Sequence, residues 1–211
     1  MWCSRDLLFQ HIPKTAGVSV INYLSAAMPG PHYLYEWHKL EDGVYVPDEL
    51  KAGDRHPTLG VSFSFAKAMG FTDIKRVFCI FRNPYATEVS MYHYIREKLQ
   101  DDPRSYSALA KSGDFTNYIK HNTHWPSYEY FLRIGGELYD NMMIFQLEVD
   151  FPDNIKRLVK SLGGNTDMEF PYLNTTVHEP YETYYTAETE EIVYKKYQWV
   201  FDRHYYERMV L

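Results

Sequence analysis

Cysteine is scarce in this chain, with two residues in 211. Cys3 lies near one end and Cys79 lies inside an apolar segment, so a disulfide framework is excluded. The sequence also contains neither CxxC nor HExxH, and no cluster of carboxylates has the spacing of metal ligands. We therefore expect a protein that uses no metal.

Long apolar runs are also missing. No stretch is long and apolar enough to cross a bilayer, and the N-terminus has no basic region followed by a hydrophobic run. We expect no membrane segment and a cytoplasmic protein, or a protein of the Golgi lumen if the chain is a trimmed catalytic fragment.

The chain has no surplus of positive charge. It carries 22 Lys and Arg against 28 Asp and Glu, a formal net charge of −6. Domains that bind nucleic acid are normally basic, so a nucleic-acid partner is not expected. The same balance disfavours densely sulfated polymers as ligands, because long-range forces would repel them.

The sequence shows no internal repeat, low-complexity tract or Gly/Ser-rich linker, and residues 1–211 are predicted to form a single domain. Predicted strands and helices alternate, which is typical of an α/β fold with a central parallel sheet flanked by helices. The polar stretch from Gln100 to Lys120 is interpreted as a surface insertion, and Thr186 is expected to cap a final helix.

The segment Phe9 to Ser19, FQHIPKTAGVS, has the pattern of a phosphate-binding turn. A short apolar strand, predicted over Asp6 to Phe9, precedes a helix that is predicted to start at Gly17. A tight turn from strand to helix directs backbone N–H groups and the positive end of the helix dipole at one point, which favours an anion. Lys14 adds a full positive charge there.

Small and hydroxyl residues complete this turn. Ala16 and Gly17 allow close approach of the backbone, and Thr15 and Ser19 offer hydroxyl donors. The pattern is not the GxxxxGK[ST] of ATPases, because the lysine precedes the glycine and the turn has one glycine. Simple ATP hydrolysis is therefore disfavoured.

A second candidate anion site follows the apolar run Val77 to Phe81, which is predicted to be a strand covered on both faces. Arg82 comes next, Asn83 is suited to cap a helix, and Pro84 is suited to its first position. Ser90 lies about two turns into that helix. Ligands of open α/β sheets bind at the carboxyl ends of the strands, where Arg82 is expected.

Two cationic junctions between strand and helix indicate a ligand with two separated phosphates, and an adenosine 3′,5′-bisphosphate fits. HIPKTAGVS resembles the 5′-phosphosulfate loop of sulfotransferases, which the carbohydrate, heparan-sulfate-type branch writes HIPKTGGTS. FRNPYATEVSMYHY is similar to the 3′-phosphate motif of the family, in which an arginine and a serine eight residues later hold that phosphate. Arg82 and Ser90 keep this interval. Segments 54–58, 141–151 and 174–202 show weaker likeness to the family.

This resemblance implies a sulfotransferase fold, in which a P-loop-like parallel sheet is flanked by helices. It also implies transfer of a sulfuryl group from 3′-phosphoadenosine 5′-phosphosulfate (PAPS) to a hydroxyl, on a carbohydrate, by in-line displacement that leaves adenosine 3′,5′-bisphosphate (PAP). By analogy with the family, Lys14 would be catalytic and would neutralise the oxygen that links sulfur to the 5′-phosphate. The implied cofactor-binding residues are Lys14, Thr15, Ala16, Gly17, Val18, Ser19, Arg82 and Ser90.

The acceptor hydroxyl must lose a proton, and His or Glu is the usual base near neutral pH. His56 is the first candidate, because related carbohydrate enzymes place a catalytic His or Glu between the two phosphate motifs. His11 is better suited to hold the loop by hydrogen bonding. Glu36 and His38 are the other candidates.

The chain departs from the family pattern at four places. Ala16 replaces the usual second glycine, Val18 replaces a hydroxyl residue, and Ala86-Thr87-Glu88 stands where an arginine is common. Gln146 also stands where an arginine is common. These changes put cofactor affinity in question more than the fold, and Glu88 is expected to face or flank the phosphate region.

Three other functions remain open at this point. A small alcohol or a phenol could be the acceptor, and a non-catalytic nucleotide-binding protein could use the same fold. A kinase-like phosphotransferase is disfavoured, because the sequence has no GK[ST] pair and no recognisable magnesium carboxylate after a strand. The acceptor's identity, the position sulfated and the oligomeric state are not decided by the sequence.

Overall fold

The structure, a computed structural model, describes residues 1–34, 56–98, 105–122, 125–173 and 175–211. Its strands and helices follow one another along the chain in this order: β1 (Trp2–Ser4), β2 (Leu7–Gln10), α1 (Gly17–Ala27), β3 (His32–Leu34), α2 (Leu59–Ala68), β4 (Arg76–Phe81), α3 (Pro84–Lys98), α4 (Ser105–Lys111), α5 (Phe115–His121), α6 (Tyr128–Phe131), β5 (Arg133–Ile134), β6 (Glu137–Leu138), β7 (Met143–Gln146), α7 (Asp153–Ser161), a 3₁₀ turn (Tyr181–Tyr184), α8 (Ala187–Lys196) and α9 (Gln198–Asp202).

Two compact units share these elements. The first contains Met1–Phe81 and Glu129–Asn174, and the second contains Arg82–Tyr128 and Thr175–Leu211. That residues 1–211 act as a single domain stays a prediction. Among the helices of the described ranges, none combines the length and the apolar character needed to cross a membrane.

The first unit is built on a five-stranded sheet in the order β3-β1-β2-β4-β7. Strands β2, β4 and β7 are parallel, with Gln10 opposite Cys79 and Phe81 opposite Gln146. On the β2 side of the sheet, β1 runs antiparallel to β2, and β3 runs antiparallel to β1. The α/β fold class is confirmed, and the carboxyl ends of the parallel strands share one edge, as the rule for ligand sites in such sheets requires.

Alternate residues of β2 and β4 face two separate apolar cores. Leu7 and Phe9 belong to one core together with residues of α1 and α7, whereas Leu8 and Val77 belong to the other together with residues of α2. Because side chains alternate along a strand, two adjacent leucines serve opposite faces. The sheet is therefore covered by helices on both faces, which explains why these strands read as continuous apolar runs.

The second unit is helical in its described residues. Its buried side chains include Tyr92, Phe115 and Tyr118, whose rings lie 5.3 to 6.3 Å apart between centroids. The interpretation of 100–120 as a surface insertion was therefore wrong for its described part, which forms α4 and α5 and contributes to a core. The two helices are too short for the spacing of their aromatic residues to show a helical period in the sequence.

Thr186 caps α8 as predicted, and it does so reciprocally with Thr189. The Thr186 hydroxyl accepts from the Thr189 N–H at 3.3 Å, and the Thr189 hydroxyl accepts from the Thr186 N–H at 3.0 Å. This is a capping box in which threonine takes the usual place of Glu or Gln. The predicted single helix is divided at Tyr197 into α8 and α9.

Candidate functional site

The turn between β2 and α1 has the backbone of an anion nest. Lys14 and Ala16 have φ angles of 64° and 62°, in the left-handed region, on either side of Thr15. Left-handed residues in a turn of this kind help to point successive N–H groups to one side, and such a concavity binds anions. This concavity opens at the N-terminus of α1, an 11-residue helix whose dipole also favours negative charge.

Gly17 is required by close packing against His11. A Cβ built on Gly17 would lie 1.8 Å from Cδ2 and 1.9 Å from Nε2 of the His11 ring. The imidazole therefore occupies the space that a side chain would need. The contact shown is packing of the His11 ring against Gly17, and the expectation that His11 holds the loop by hydrogen bonding stays a prediction.

The two hydroxyls of the loop already have partners within the protein. Thr15 is fully buried and donates to the carbonyl oxygen of Ile12 at 2.9 Å. Ser19 is also buried, and its oxygen accepts from the N–H of Leu173 at 2.9 Å, which leaves its own hydrogen to donate. The Thr15 hydroxyl thus stabilises the turn, while backbone N–H groups and Ser19 are the groups suited to an anion. Val18 is 39% exposed and adds no polar group.

His11 is held in its neutral form. Burial lowers its pKa well below the usual value, and electrostatic repulsion from nearby titratable groups, His56 and Lys14 among them, acts in the same direction. Lys14 itself is half-buried in the turn. A neutral imidazole beside Lys14 leaves the lysine as the cation of the loop itself.

His56 lies next to the loop, as expected for a base that serves this site. Its Nδ1 is 3.3 Å from the carbonyl oxygen of His11, and the two rings meet edge to face with centroids 4.5 Å apart. The ring of Phe131 lies edge-on to His56, 6.5 Å away between centroids. Whether His56 acts as the base stays a prediction. The alternatives Glu36 and His38 lie outside the described residues.

The second predicted anion motif begins the second unit. Asn83 caps α3 as predicted, since its side-chain oxygen accepts from the N–H of Tyr85 at 2.9 Å. The carbonyl oxygen of Arg82 accepts from the hydroxyl of Tyr128 at 2.8 Å, which fixes the backbone at the start of the motif. Arg82 is half-buried, and Ser90 is 4% exposed.

The carboxylate of Glu88 is buried and is not exposed to solvent. It is 3% exposed, and its carboxylate accepts from Lys196 Nζ at 2.6 Å and from the Tyr197 hydroxyl at 2.8 Å. The residue that replaces the family's arginine is thus buried and paired within the helical unit. The expectation that Glu88 faces or flanks the phosphate region stays a prediction. Its partners Lys196 and Tyr197 lie far along the chain, so the sequence does not show this pairing.

Two polar residues next to the loop, Gln10 and Ser62, were not predicted from the sequence. Gln10, at the end of β2, donates to the carbonyl oxygen of Pro57 at 2.6 Å and accepts from the hydroxyl of Ser62 at 2.7 Å. All three residues are buried. A polar residue that ends an apolar strand was the available signal.

Within the part of the chain that the structure describes, no group of three or more His, Cys, Asp and Glu side chains could hold a metal ion.

Comparisons with known proteins add little to this description. No family model matches the chain, and no curated protein matches it either. The fold is similar to the crystal structure of mouse sulfotransferase SULT7A1 complexed with PAP, at 14% sequence identity and a TM-score of 0.44, over 91% of this chain and 84% of that chain. Similarity at this level carries no argument about function, which has to be inferred from the residues of this chain.

Proposed function

We propose that this protein is a sulfotransferase that moves a sulfuryl group from PAPS to a hydroxyl group, with carbohydrates as the acceptor class. The observation that carries the proposal is the nest at 14–16. It combines left-handed backbone at Lys14 and Ala16 with a helix N-terminus and a lysine. A group with several negative oxygens matches that arrangement.

The residues of the nest fit the 5′-phosphosulfate end of PAPS. Gly17 brings the backbone close because it lacks a Cβ, and the N–H groups at the start of α1 point out of the helix. Ser19 has a hydroxyl hydrogen to donate, as described above. In the proposal, Lys14, Thr15, Ala16, Gly17, Val18 and Ser19 form the 5′ binding loop, with Thr15 acting through its backbone.

Arg82 and Ser90 are proposed to bind the 3′-phosphate. Strands β2 and β4 are neighbours in the sheet, and Arg82 is the residue that follows β4. A guanidinium group can hold a phosphate through two parallel hydrogen bonds, which a lysine cannot do. The hydrogen bond from Tyr128 to the carbonyl of Arg82 holds the backbone from which that side chain extends.

When bound, PAPS would supply a sulfuryl group on a phosphate leaving group. The acceptor oxygen forms a bond to sulfur, the bond from sulfur to the 5′-phosphate oxygen breaks, and PAP leaves with the electron pair of that bond. Lys14 stabilises the charge that gathers on the leaving oxygen. His56 takes the proton of the acceptor hydroxyl, so that the products are a sulfate ester, PAP and one proton.

Nucleotide binding is the first test. We expect PAP to raise the melting temperature of the protein and to bind by calorimetry, and ATP with Mg²⁺ to do neither. At a concentration 100 times Kd, a ligand that binds the folded state alone stabilises it by about 2.7 kcal/mol. Preference for ATP with Mg²⁺ would instead support a phosphotransferase.

Variants connect that binding to the two motifs. We expect Lys14→Ala and Arg82→Ala each to weaken PAP binding at least about tenfold, the equivalent of about 1.4 kcal/mol or more. Lys160→Ala, which removes an exposed lysine from α7, serves as the matched control and should leave PAP affinity unchanged. If Lys14→Ala and Lys160→Ala changed the affinity for PAP equally, the nest would not be the PAP-binding loop.

Activity is the second test. Radiolabelled sulfate should pass from PAPS to members of a glycan panel in preference to phenols and small alcohols, and His56→Ala should reduce kcat by about 100-fold or more. Transfer to phenols in preference to glycans would correct the acceptor class. Binding of PAP without transfer to any acceptor would favour a non-catalytic nucleotide-binding protein.

A further inference from the structure

The side-chain amide of Gln10 is buried, and both its nitrogen and its oxygen form hydrogen bonds. It is 0% exposed, as is Ser62, and its two side-chain hydrogen bonds, to Pro57 and from Ser62, are 2.6 and 2.7 Å long. A buried polar network of this kind specifies position, because any displacement leaves a polar group without a partner in an apolar surrounding.

The network joins the two segments that carry the histidines. Gln10 directly precedes His11 at the start of the nest, and Pro57 directly follows His56 ahead of α2. Ser62, on α2, binds the same amide from the other side. The bonds of Gln10 therefore fix the backbone next to His56 relative to the backbone next to His11.

The contact between these histidines bears on which nitrogen of the neutral His56 ring carries the hydrogen. Nδ1 of His56 lies 3.3 Å from the carbonyl oxygen of His11. A carbonyl oxygen only accepts, so this contact favours the neutral ring with its hydrogen on Nδ1, in which Nε2 carries the lone pair.

We propose that Gln10, with Ser62, is a positioning residue that holds His56 at the nest in the Nδ1–H form. In that form Nε2 of His56 receives the proton of the acceptor hydroxyl. The inference depends on the proposed function for the transfer step, whereas the placement and tautomer of His56 can be tested without any activity.

Nitrogen-15 NMR of the histidine rings tests the tautomer directly. The signals of His56 are assigned by their loss in His56→Ala. We expect the wild-type ring to be in the Nδ1–H form at neutral pH, and the population of that form to fall in Gln10→Met, which has a similar volume but neither amide group. An Nε2–H ring in the wild type, or an unchanged ring in Gln10→Met, would overturn the proposal.

Kinetics test the positioning through a double-mutant cycle. At saturating PAPS, Gln10→Met should lower kcat by about 10- to 100-fold, while the Kd for PAP changes by less than about twofold. In the His56→Ala background, Gln10→Met should change kcat by less than about twofold, because the residue acts through His56. Independent, multiplying losses would show that Gln10 has a general structural role and would overturn the inference.

Ser62→Ala keeps the test decisive if Gln10→Met does not fold. This variant retains the bond from Gln10 to Pro57 and should lower kcat by about 3- to 10-fold, again only when His56 is present. Ser64→Ala is the matched control on the same helix, since Ser64 is exposed and donates to the carbonyl of Gly60 in its own helix. Equal kcat values for Ser62→Ala and Ser64→Ala would contradict the proposal.

Failure of the inference and failure of the proposed function give different results. If the wild type neither binds PAP nor transfers sulfate, the sulfotransferase proposal fails, while the tautomer and its dependence on Gln10 are still measured by NMR. If the wild type is active and His56→Ala is not, but the cycle shows no coupling, only the role of Gln10 is wrong.

Discussion

Ala16 has a φ of 62°, a conformation in which a Cβ atom crowds the following carbonyl. The sequence motif that this turn resembles has glycine there, and the structure gives the physical reason. We expect Ala16→Gly to raise the free energy of unfolding by about 0.5–1 kcal/mol, because relief of the left-handed strain exceeds the added entropy of the unfolded chain. Urea denaturation measures the change.

The control for this substitution is Ala108→Gly. Ala108 is exposed in the helix α4, where glycine should lower the free energy of unfolding by about 0.5–1 kcal/mol. Loss of stability of similar size in both variants would mean that Ala16 is not strained.

His11 gives the fold a dependence on pH. Its pKa is lowered in the folded state, so the unfolded chain takes up a proton as the pH falls through about 6.5, while the folded chain does not. The free energy of unfolding should therefore fall below pH 6.5, by up to about 1.4 kcal/mol per pH unit from this group.

Replacement of the ring isolates that contribution. His11→Gln should flatten the curve of unfolding free energy between about pH 5 and 6.5. A slope that is the same in the wild type and in His11→Gln would contradict a neutral buried imidazole.

Single residues of the loop were predictable where their chemistry is local. The turn ahead of α1 follows from the local pattern of a short strand, Lys14 and small residues, whereas the need for Gly17 comes from the His11 ring that fills the space of a Cβ. The partner of Ser19 did not follow, because it is Leu173, 154 positions away. A hydroxyl in a motif looks the same whether it serves the ligand or the fold.

At the level of elements, α3 and α8 are joined by a buried ion pair. The side chain of Glu88 is 4% exposed and that of Lys196 is 21% exposed. Lys196→Met should lower the free energy of unfolding by about 2–3 kcal/mol, because the Glu88 carboxylate would remain buried without its cation. Chemical denaturation measures this loss.

Lys195 provides the neighbouring control. Its partner Glu191 lies on the same helix, both side chains are exposed, and Lys195→Met should change stability by less than about 0.5 kcal/mol. The double variant of Glu88→Gln with Lys196→Met should recover at least half of the loss. Equal effects at Lys195 and Lys196 would show that the buried pair contributes little.

Elements with a long or regular pattern were predicted correctly, and short ones were not. Strands β2 and β4 and helices α1 and α3 begin within a residue or two of their predicted starts, because apolar runs, Asn83 and Gly17 mark them. Strands β1 and β3 have three residues each, too few for a period, and are defined by pairing across the sheet. That pairing is a tertiary property which the local pattern does not contain.

The whole molecule carries a net charge of −6, which acts on any ligand before it reaches the site. At saturating PAPS, an anionic oligosaccharide acceptor should show a kcat/KM that rises between about 0.02 and 0.2 M salt, because screening weakens the repulsion. A neutral oligosaccharide of the same length should show no such change. A kcat/KM that falls with salt for the anionic acceptor would reveal a local basic surface that outweighs the net charge.

Strand β2 buries apolar residues on both faces, so its hydrophobic pattern alone does not fix its register in the sheet. If the strand moved by one position, Leu8 and Phe9 would exchange layers and each layer would still receive a large aliphatic or aromatic group. Hydrophobicity alone does not distinguish the two alignments. The polar amide at position 10 can, since Pro57 and Ser62 match it in one alignment, so the register of β2 is specified by a residue that adds nothing to the apolar surface buried.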